Sequence, residues 1–353
     1  MSASTAVSDA SQVARERRRT DPAWQQIRAE RAIAAPYMNR VEPRIVFEAV
    51  WSLAGWALFG LLGIAGWVPY WIAVPMSGIF AYAAYMPLHE ATHQTIHGGK
   101  AELQWLNDAA GHLMSIPLLF SFRGHELEHM AHHAHTNDPE KDPDVAYAGS
   151  LSKTLFFSLT ALPVIFVVFL AAWFPPLARL LRETLEKSLG ANADADIAHQ
   201  RRFCTVVVIS ASLAAYAGYG VEVLVFWFLP AMIGLVLIGI FFAWLPHHPH
   251  NGRGRYTNTR ATLFPLSGFI ARGHDRHIIH HMIPRIPHYR IPQVFDKLRP
   301  VLEARGTRIE GPSAGPGAPK IFRGTDAAEV EAIGRRSDQA DAEPISPAFL
   351  AQL

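Results

Sequence analysis

The pattern His-x-x-His-His occurs twice in this sequence, at His129, His132 and His133 and again at His277, His280 and His281. On a helix, positions i, i+3 and i+4 share one face, so each copy can turn three imidazoles toward one point. An earlier stretch, His89-Glu90-Ala91-Thr92-His93, has the i, i+4 spacing, and His97 continues it by one more turn. His125 stands one turn before the first His-x-x-His-His, and His247 lies in Leu245-Pro246-His247-His248-Pro249-His250. The chain holds 18 histidines, and their crowding into these few stretches is what a metal centre requires.

Imidazole suits iron, zinc and copper, and as a neutral ligand it leaves a metal pair more positive than carboxylates would. A ferrous pair held this way can reduce O2 to an oxidant that attacks an unactivated C–H bond. Two other readings compete. His89, Glu90 and His93 fit the H-E-x-x-H motif of zinc proteases, with Glu90 as general base, but an intramembrane zinc protease has no use for the two His-x-x-His-His copies. A metal transporter would place its ligands within its spans rather than beside their ends. His112, His135, His199, His250, His274 and His288 fit no repeated spacing and are expected on the surface or behind the ligands. After the second cluster comes an acidic loop, Asn137-Asp138-Pro139-Glu140-Lys141-Asp142-Pro143-Asp144. Asp138, Asp142 and Asp144 are candidates to orient the outer nitrogens of ligating histidines; the plainer alternative is a solvated turn.

The elements that must position these side chains are apolar. Half of the residues are hydrophobic, 18% are charged and the mean hydropathy is above zero, which puts a membrane first. Residues 45–67 and 68–88 read as two spans joined by a short turn, and residues 206–245 are long enough for a second pair. Residues 155–178 are apolar but interrupted by Pro163, Pro175 and Pro176. Two hairpins return the chain to its starting side, so the clusters meet only if residues 155–178 do not cross once. That stretch is therefore read as re-entrant, interfacial or tightly folded back. The expected fold is an all-α integral membrane protein with about four transmembrane helices in two hairpins and a cytoplasmic, histidine-rich helical cap. Arg179, Arg182, Lys187, Arg201 and Arg202 in the following loop, and the N-terminal run Arg15, Arg17, Arg18 and Arg19, put the clusters on the cytoplasmic face of the inner membrane by the positive-inside rule.

Around this membrane domain, residues 44–300, a polar N-terminal arm of residues 1–43 and a flexible polar tail of residues 301–353 are expected, the tail because its Gly, Pro and Ala content cannot bury a core. The N-terminus lacks the order of a cleavable signal peptide. The single cysteine, Cys204, excludes intramolecular disulfides and Cys-based iron–sulfur clusters, so electrons must come from another protein. A net charge of +2 gives no reason to expect a nucleic-acid partner.

In the order and spacing of its histidine boxes the chain resembles the membrane fatty-acid desaturase superfamily, HxxxH, HxxHH and HxxHH around four spans. Within it the chain is most similar to the cyanobacterial-type β-carotene hydroxylases, through residues 129–144 (HMAHHAHTNDPEKDPD), 244–260 (WLPHHPHNGRGRYTNTR) and 277–287 (HIIHHMIPRIP). The resemblance implies that His89, His93, His129, His132, His133, His247, His277, His280 and His281 bind two iron ions, with His97 and His125 as further possibilities. It also implies O2 as co-substrate, a ferredoxin-like or other electron donor, and a lipid-soluble substrate. The expected outcome is hydroxylation of a carotenoid β-ionone ring, with acyl-lipid desaturation as the alternative. Three positions, in two places, depart from the family pattern: Asp275 and Arg276 replace an Asn-Tyr pair, and Tyr256 replaces a Trp. Both departures are expected near the metal or the substrate channel.

Overall fold

The computed structural model describes residues 20–324, apart from residue 172, and residues 327–340. The N-terminal arginine run and the last residues of the expected tail lie outside the described residues. Among the described residues the fold is mostly helical, with one pair of two-residue strands. Among the described residues four helical stretches are long and apolar enough to cross a membrane, Pro43–Ile64, Tyr70–Thr92, Leu151–Ala171 and the interrupted run Pro175–His247.

A short helix α1 (Pro22–Ala34) leads to the first two candidate spans, α2 (Pro43–Ile64) and α3 (Tyr70–Thr92). Proline at the first turn starts α2, where its missing N–H costs nothing. The inward face of α2 is built of small residues, Ala49, Ser52, Gly55, Gly60 and Gly63. A methyl group on Gly55 would sit 2.2 Å from the Phe80 ring, and one on Gly63 would sit 2.3 Å from Phe226, so glycine here is what lets neighbouring helices approach. The large apolar side chains Phe47, Val50, Leu58 and Leu61 point outward and are exposed, as a lipid-facing surface requires. Helix α3 differs: from Ala81 to Thr92 it is buried on every side, and this enclosed last turn carries His89.

Helices α4 (Gln104–Leu118) and α5 (Phe122–His135) follow, joined at Leu119, which takes a left-handed conformation with φ of 59°. The Ser121 hydroxyl caps α5 by accepting from the Gly124 N–H at 3.2 Å. The apolar stretch containing Pro163 forms α6 (Leu151–Ala171), and α7 (Pro175–Leu189) lies against it and brings Thr184, Leu185 and Leu189 back beside residues 139–147. The path that leaves the histidine end along α6 thus returns to it along α7. Helix α8 (Ala193–Ala214) runs out again. A π turn broken at Gly218, with φ of 94°, reverses the direction. The chain then returns through α9 (Leu229–Ile238), packed on α3 at Gly78 and Gly234, to His247.

Helices α10 (His277–Met282) and α11 (Ile291–Ala304) close the histidine end. Over residues 301–324 the expected flexible tail is not what forms. Val301 and Leu302 are fully buried in α11, the Ile309–Glu310 strand pairs in parallel with Ala261–Thr262, and Arg260, 1% exposed, forms a 2.7 Å ion pair with Glu310. Composition misled because the segment makes no core of its own; its few apolar residues, Ile309 and Ala314, join a core built largely elsewhere, and main-chain hydrogen bonds and the Arg260–Glu310 pair hold it there. Replacing Glu310 with Ala leaves the Arg260 guanidinium buried without its carboxylate. We expect a loss of about 3–5 kcal/mol, read as a lower unfolding temperature of the purified protein in detergent; an unchanged temperature would show the tail to be dispensable.

Candidate metal centre

Four elements deliver the histidines to one place. His89 and His93 come from the end of α3, His129, His132 and His133 from one face of α5, His247 from the end of the return path through α9, and His277, His280 and His281 from α10. Ligand atoms of His89, His93, His129 and His280 all lie within 4.8 Å of one another, and so do those of His132, His247 and His281. The remaining two join these groups: His133 Nε2 lies 3.1 Å from His129 Nε2 and 3.0 Å from His280 Nε2, and His277 Nε2 lies 3.2 Å from His281 Nε2. The His133 ring also stacks on His281 with centroids 4.3 Å apart, so the two groups share a border.

The electrostatics suit a bound cation. Burial, and then the neighbouring His125 and Arg285, push His93 down to about 3. Burial and surrounding imidazoles likewise hold His129, His133, His277, His280 and His281 well below the ordinary range. These rings are uncharged at neutral pH, with lone pairs free to bind metal. His132 is the exception. Burial works against its charge, but Asp144 and the hydrogen-bonded Asp142 outweigh it and raise the pKa. His129 Nε2 faces His93 Nε2 at 2.9 Å, and both nitrogens of His89, together with Nδ1 of His247 and of His277, have no hydrogen-bond partner. Nitrogens packed this closely, which can at most share protons, and unpaired buried nitrogens are unfavourable without a bound ion and become favourable around divalent metal ions. The donor set, all nitrogen and almost all neutral, fits a pair of such ions.

Not every candidate converges. His97 is turned into the loop after α3, where its Nδ1 accepts from the Gly99 N–H at 2.8 Å and its Nε2 lies 3.2 Å from Gln94. His125 stacks on His129 at 5.2 Å but belongs to neither group. Asp142 lies 2.8 Å from His132 Nδ1, and Asp144 lies 3.5 Å from it. Asp138, expected to act with them, does not reach a histidine; it accepts from the Glu140 and Lys141 N–H groups and faces Arg253, which closes the acidic turn. Tyr256 also sits away from the metal region, donating to Glu30 of α1 at 2.7 Å.

Glu90 and His288 gain importance that spacing did not suggest. Glu90 Oε1 accepts from the His288 N–H at 2.6 Å and lies 3.0 Å from its Nδ1, while Oε2 accepts from the Thr95 hydroxyl at 2.5 Å. His288 Nε2 faces Glu48 at 3.2 Å. Burial opposes a charge on His288, yet the bonds to Glu48 and Glu90 raise its pKa. Glu90 is thus a brace between α3 and the chain after α10, with both oxygens engaged, rather than a free general base. The signal was present in Glu90 itself, a carboxylate in an apolar helix that needed a partner.

Beside the histidines lies a cavity of about 410 Å³, which runs from His89, His129, His132, His247 and His277 into mostly apolar walls that include Tyr85, Leu119, Phe120, Leu162, Ile165 and Phe242, with Glu128, Asp144, Asp196 and Gln200 also in its lining. That volume falls in the range of small-molecule sites.

The sequence profile described as Fatty acid desaturase matches residues 65–311. A chloroplastic omega-3 fatty acid desaturase of Glycine max is 26% identical over 270 residues, covering 69% of this chain and 58% of its own length. A temperature-sensitive sn-2 acyl-lipid omega-3 desaturase (ferredoxin) of Arabidopsis thaliana is 25% identical, covering 69% and 61%. A fatty acid conjugase of Calendula officinalis is 24% identical, covering 69% and 70%. The chain therefore spans about three fifths of the omega-3 relatives' length. The family match runs from the start of the second candidate span to beyond the last histidine pattern, across most of the chain, and the chain belongs to the fatty acid desaturase family.

Proposed function

We propose that this chain is a membrane-bound di-iron oxidoreductase that introduces a double bond into the acyl chain of a membrane lipid. The observation that carries this reading is the pair of mostly neutral, largely buried histidine groups at the head of a mostly apolar cavity. His89, His93, His129 and His280 are assigned to one ion and His132, His247 and His281 to the other, with His133 and His277 at the edges of these groups. Two ferrous ions bound there would supply O2 activation and hydrogen removal from an unactivated carbon. The overall change is R–CH2–CH2–R′ + O2 + 2 e⁻ + 2 H⁺ → R–CH=CH–R′ + 2 H2O, with the electrons from a ferredoxin-like donor such as the Arabidopsis relative's name specifies.

The chain's own residues do the rest. Asp142 holds His132 by Nδ1, leaving Nε2 for the metal, and is itself fixed by the Asn137 and Asp144 N–H groups at 2.6 and 2.8 Å. Tyr85 and Phe242 pack on each other at 4.8 Å beside the His89 ring, which places dry aromatic surface where the substrate carbon meets the metals. In the membrane, the α2–α3 pair and the α8–α9 pair are the expected hairpins, with the histidine end on the cytoplasmic side of the inner membrane, where Arg179, Arg182, Lys187, Arg201 and Arg202 also belong.

Acyl-lipid desaturation is preferred to carotenoid hydroxylation for a structural reason. The resemblance to β-carotene hydroxylases rests on residues 129–144, 244–260 and 277–287. These segments supply metal-facing histidines and their supports: the Asn137 side chain donates to the carbonyls of Gly252 and Asn258 at 2.5 and 2.7 Å. They contribute only His129, His132, Asp144, His247 and His277 to the cavity, so they report on the metal region and not on the substrate.

Three outcomes follow. Expression in a bacterial host is expected to add unsaturated products to the membrane fatty acids, read by gas chromatography of their methyl esters, and to leave co-produced β-carotene unchanged; hydroxylated pigment with unaltered fatty acids would reverse the choice. Asp142→Asn should weaken metal binding by about 10–100-fold, measured as iron retained on dialysis against a chelator. Ile165→Trp, which fills the apolar part of the cavity, should depress turnover of long acyl chains more than short ones; an equal loss for both would place the substrate elsewhere.

A further inference from the structure

His274 matches no histidine spacing, and the sequence alone put it among the residues without a metal role. We propose that it is a tenth imidazole ligand, bound to the ion assigned to His89, His93, His129 and His280. This inference rests on the metal reading above and adds to it a residue from outside the repeated patterns. The His274 side chain is 2% exposed, one edge of its ring meets the Arg272 backbone without a well-formed hydrogen bond, and no other group partners its ring nitrogens. Its ring centroid lies 4.8 Å from His89, 4.8 Å from His280 and 5.2 Å from His277. Those separations match the spacings within the group it would join, 4.8 Å for His89 to His93 and 4.9 Å for His93 to His129. With one nitrogen turned to that backbone, a buried imidazole whose other nitrogen is idle is unfavourable unless something else takes up the lone pair.

The loop that carries His274 is fixed in place. Gly273 takes a φ of 83°, and a Cβ there would lie 2.3 Å from the His288 carbonyl oxygen, so only glycine lets the chain pass over this point. On the other side, the Thr262 N–H donates to the Asp275 carbonyl at 2.6 Å, and the Asp275 carboxylate accepts from the Ser267 hydroxyl at 2.7 Å and from Arg276 at 2.6 Å. The Asp275-Arg276 pair that departs from the family pattern therefore anchors the residue just before it.

The test uses the full-length chain, purified in detergent, freed of metal and titrated anaerobically with Co²⁺, whose visible absorption reports its ligands. His274→Gln keeps the bulk of the side chain and His274→Phe removes all ligand character, with circular dichroism confirming the fold of each. We expect wild-type protein to take up two ions. In the variants one of them should bind about tenfold or more weakly with altered absorption bands, while the metal-free protein unfolds at no lower a temperature than wild type. Two ions bound with wild-type affinity and spectrum in either folded variant would overturn the proposal. If wild-type protein binds no Co²⁺ and no Fe²⁺, the metal reading itself fails and the proposal with it.

Discussion

Imidazole nitrogens held about 3 Å apart, buried and uncharged, are the constraint around which this molecule is organised. His93, His129, His133 and His280 meet nitrogen to nitrogen at 2.9–3.1 Å, a contact that two neutral rings sustain only through a shared proton and that a metal ion turns into coordination. Burial is what keeps the rings neutral, and burial in turn demands that four separate helices end at the same point. The small-residue face of α2, the fully enclosed last turns of α3 and the reversal at Gly218 are all means to that end.

Carboxylates form the layer outside the imidazoles and divide into two kinds. Asp142 acts on the centre directly, orienting His132. Glu90, Glu48 and Glu310 act at a distance, through His288, Arg272 and Arg260, by clamping the segments that carry the histidines. A charge buried with its partner is weak support for overall stability but strong support for one arrangement over another, because any slippage leaves an unpaired ion. That suits a centre whose two groups must keep a common border at His133 and His281.

Much of this was legible in the sequence because helices turn spacing into direction. The i, i+3 and i+4 patterns named the histidines of α5 and α10 that converge, and the i, i+4 pair named those of α3. His274 was illegible for the opposite reason: it sits on a turn set by Gly273 and Asp275, where no periodicity applies. His97 continued the α3 pattern on paper, but the helix stops at Thr92 and the side chain turns away. Asp138 and Asp142 look alike in an acidic loop, and only the closing of the turn decides which one faces His132. The segment from residue 305 to residue 324 was misread because composition reports whether a stretch can build a core, not whether it can dock on one. The substrate is the least legible part, since the cavity walls come from scattered apolar residues on α3, α6 and α9 that carry no motif.

The most direct test of the account is the metal content of the wild-type protein after anaerobic loading with Fe²⁺ and removal of excess, measured by mass spectrometry of the metal, followed by exposure to O2 with a reductant. The account predicts two iron ions per chain and O2 consumption that depends on them. A single ion per chain, or two ions that leave O2 untouched, would contradict it.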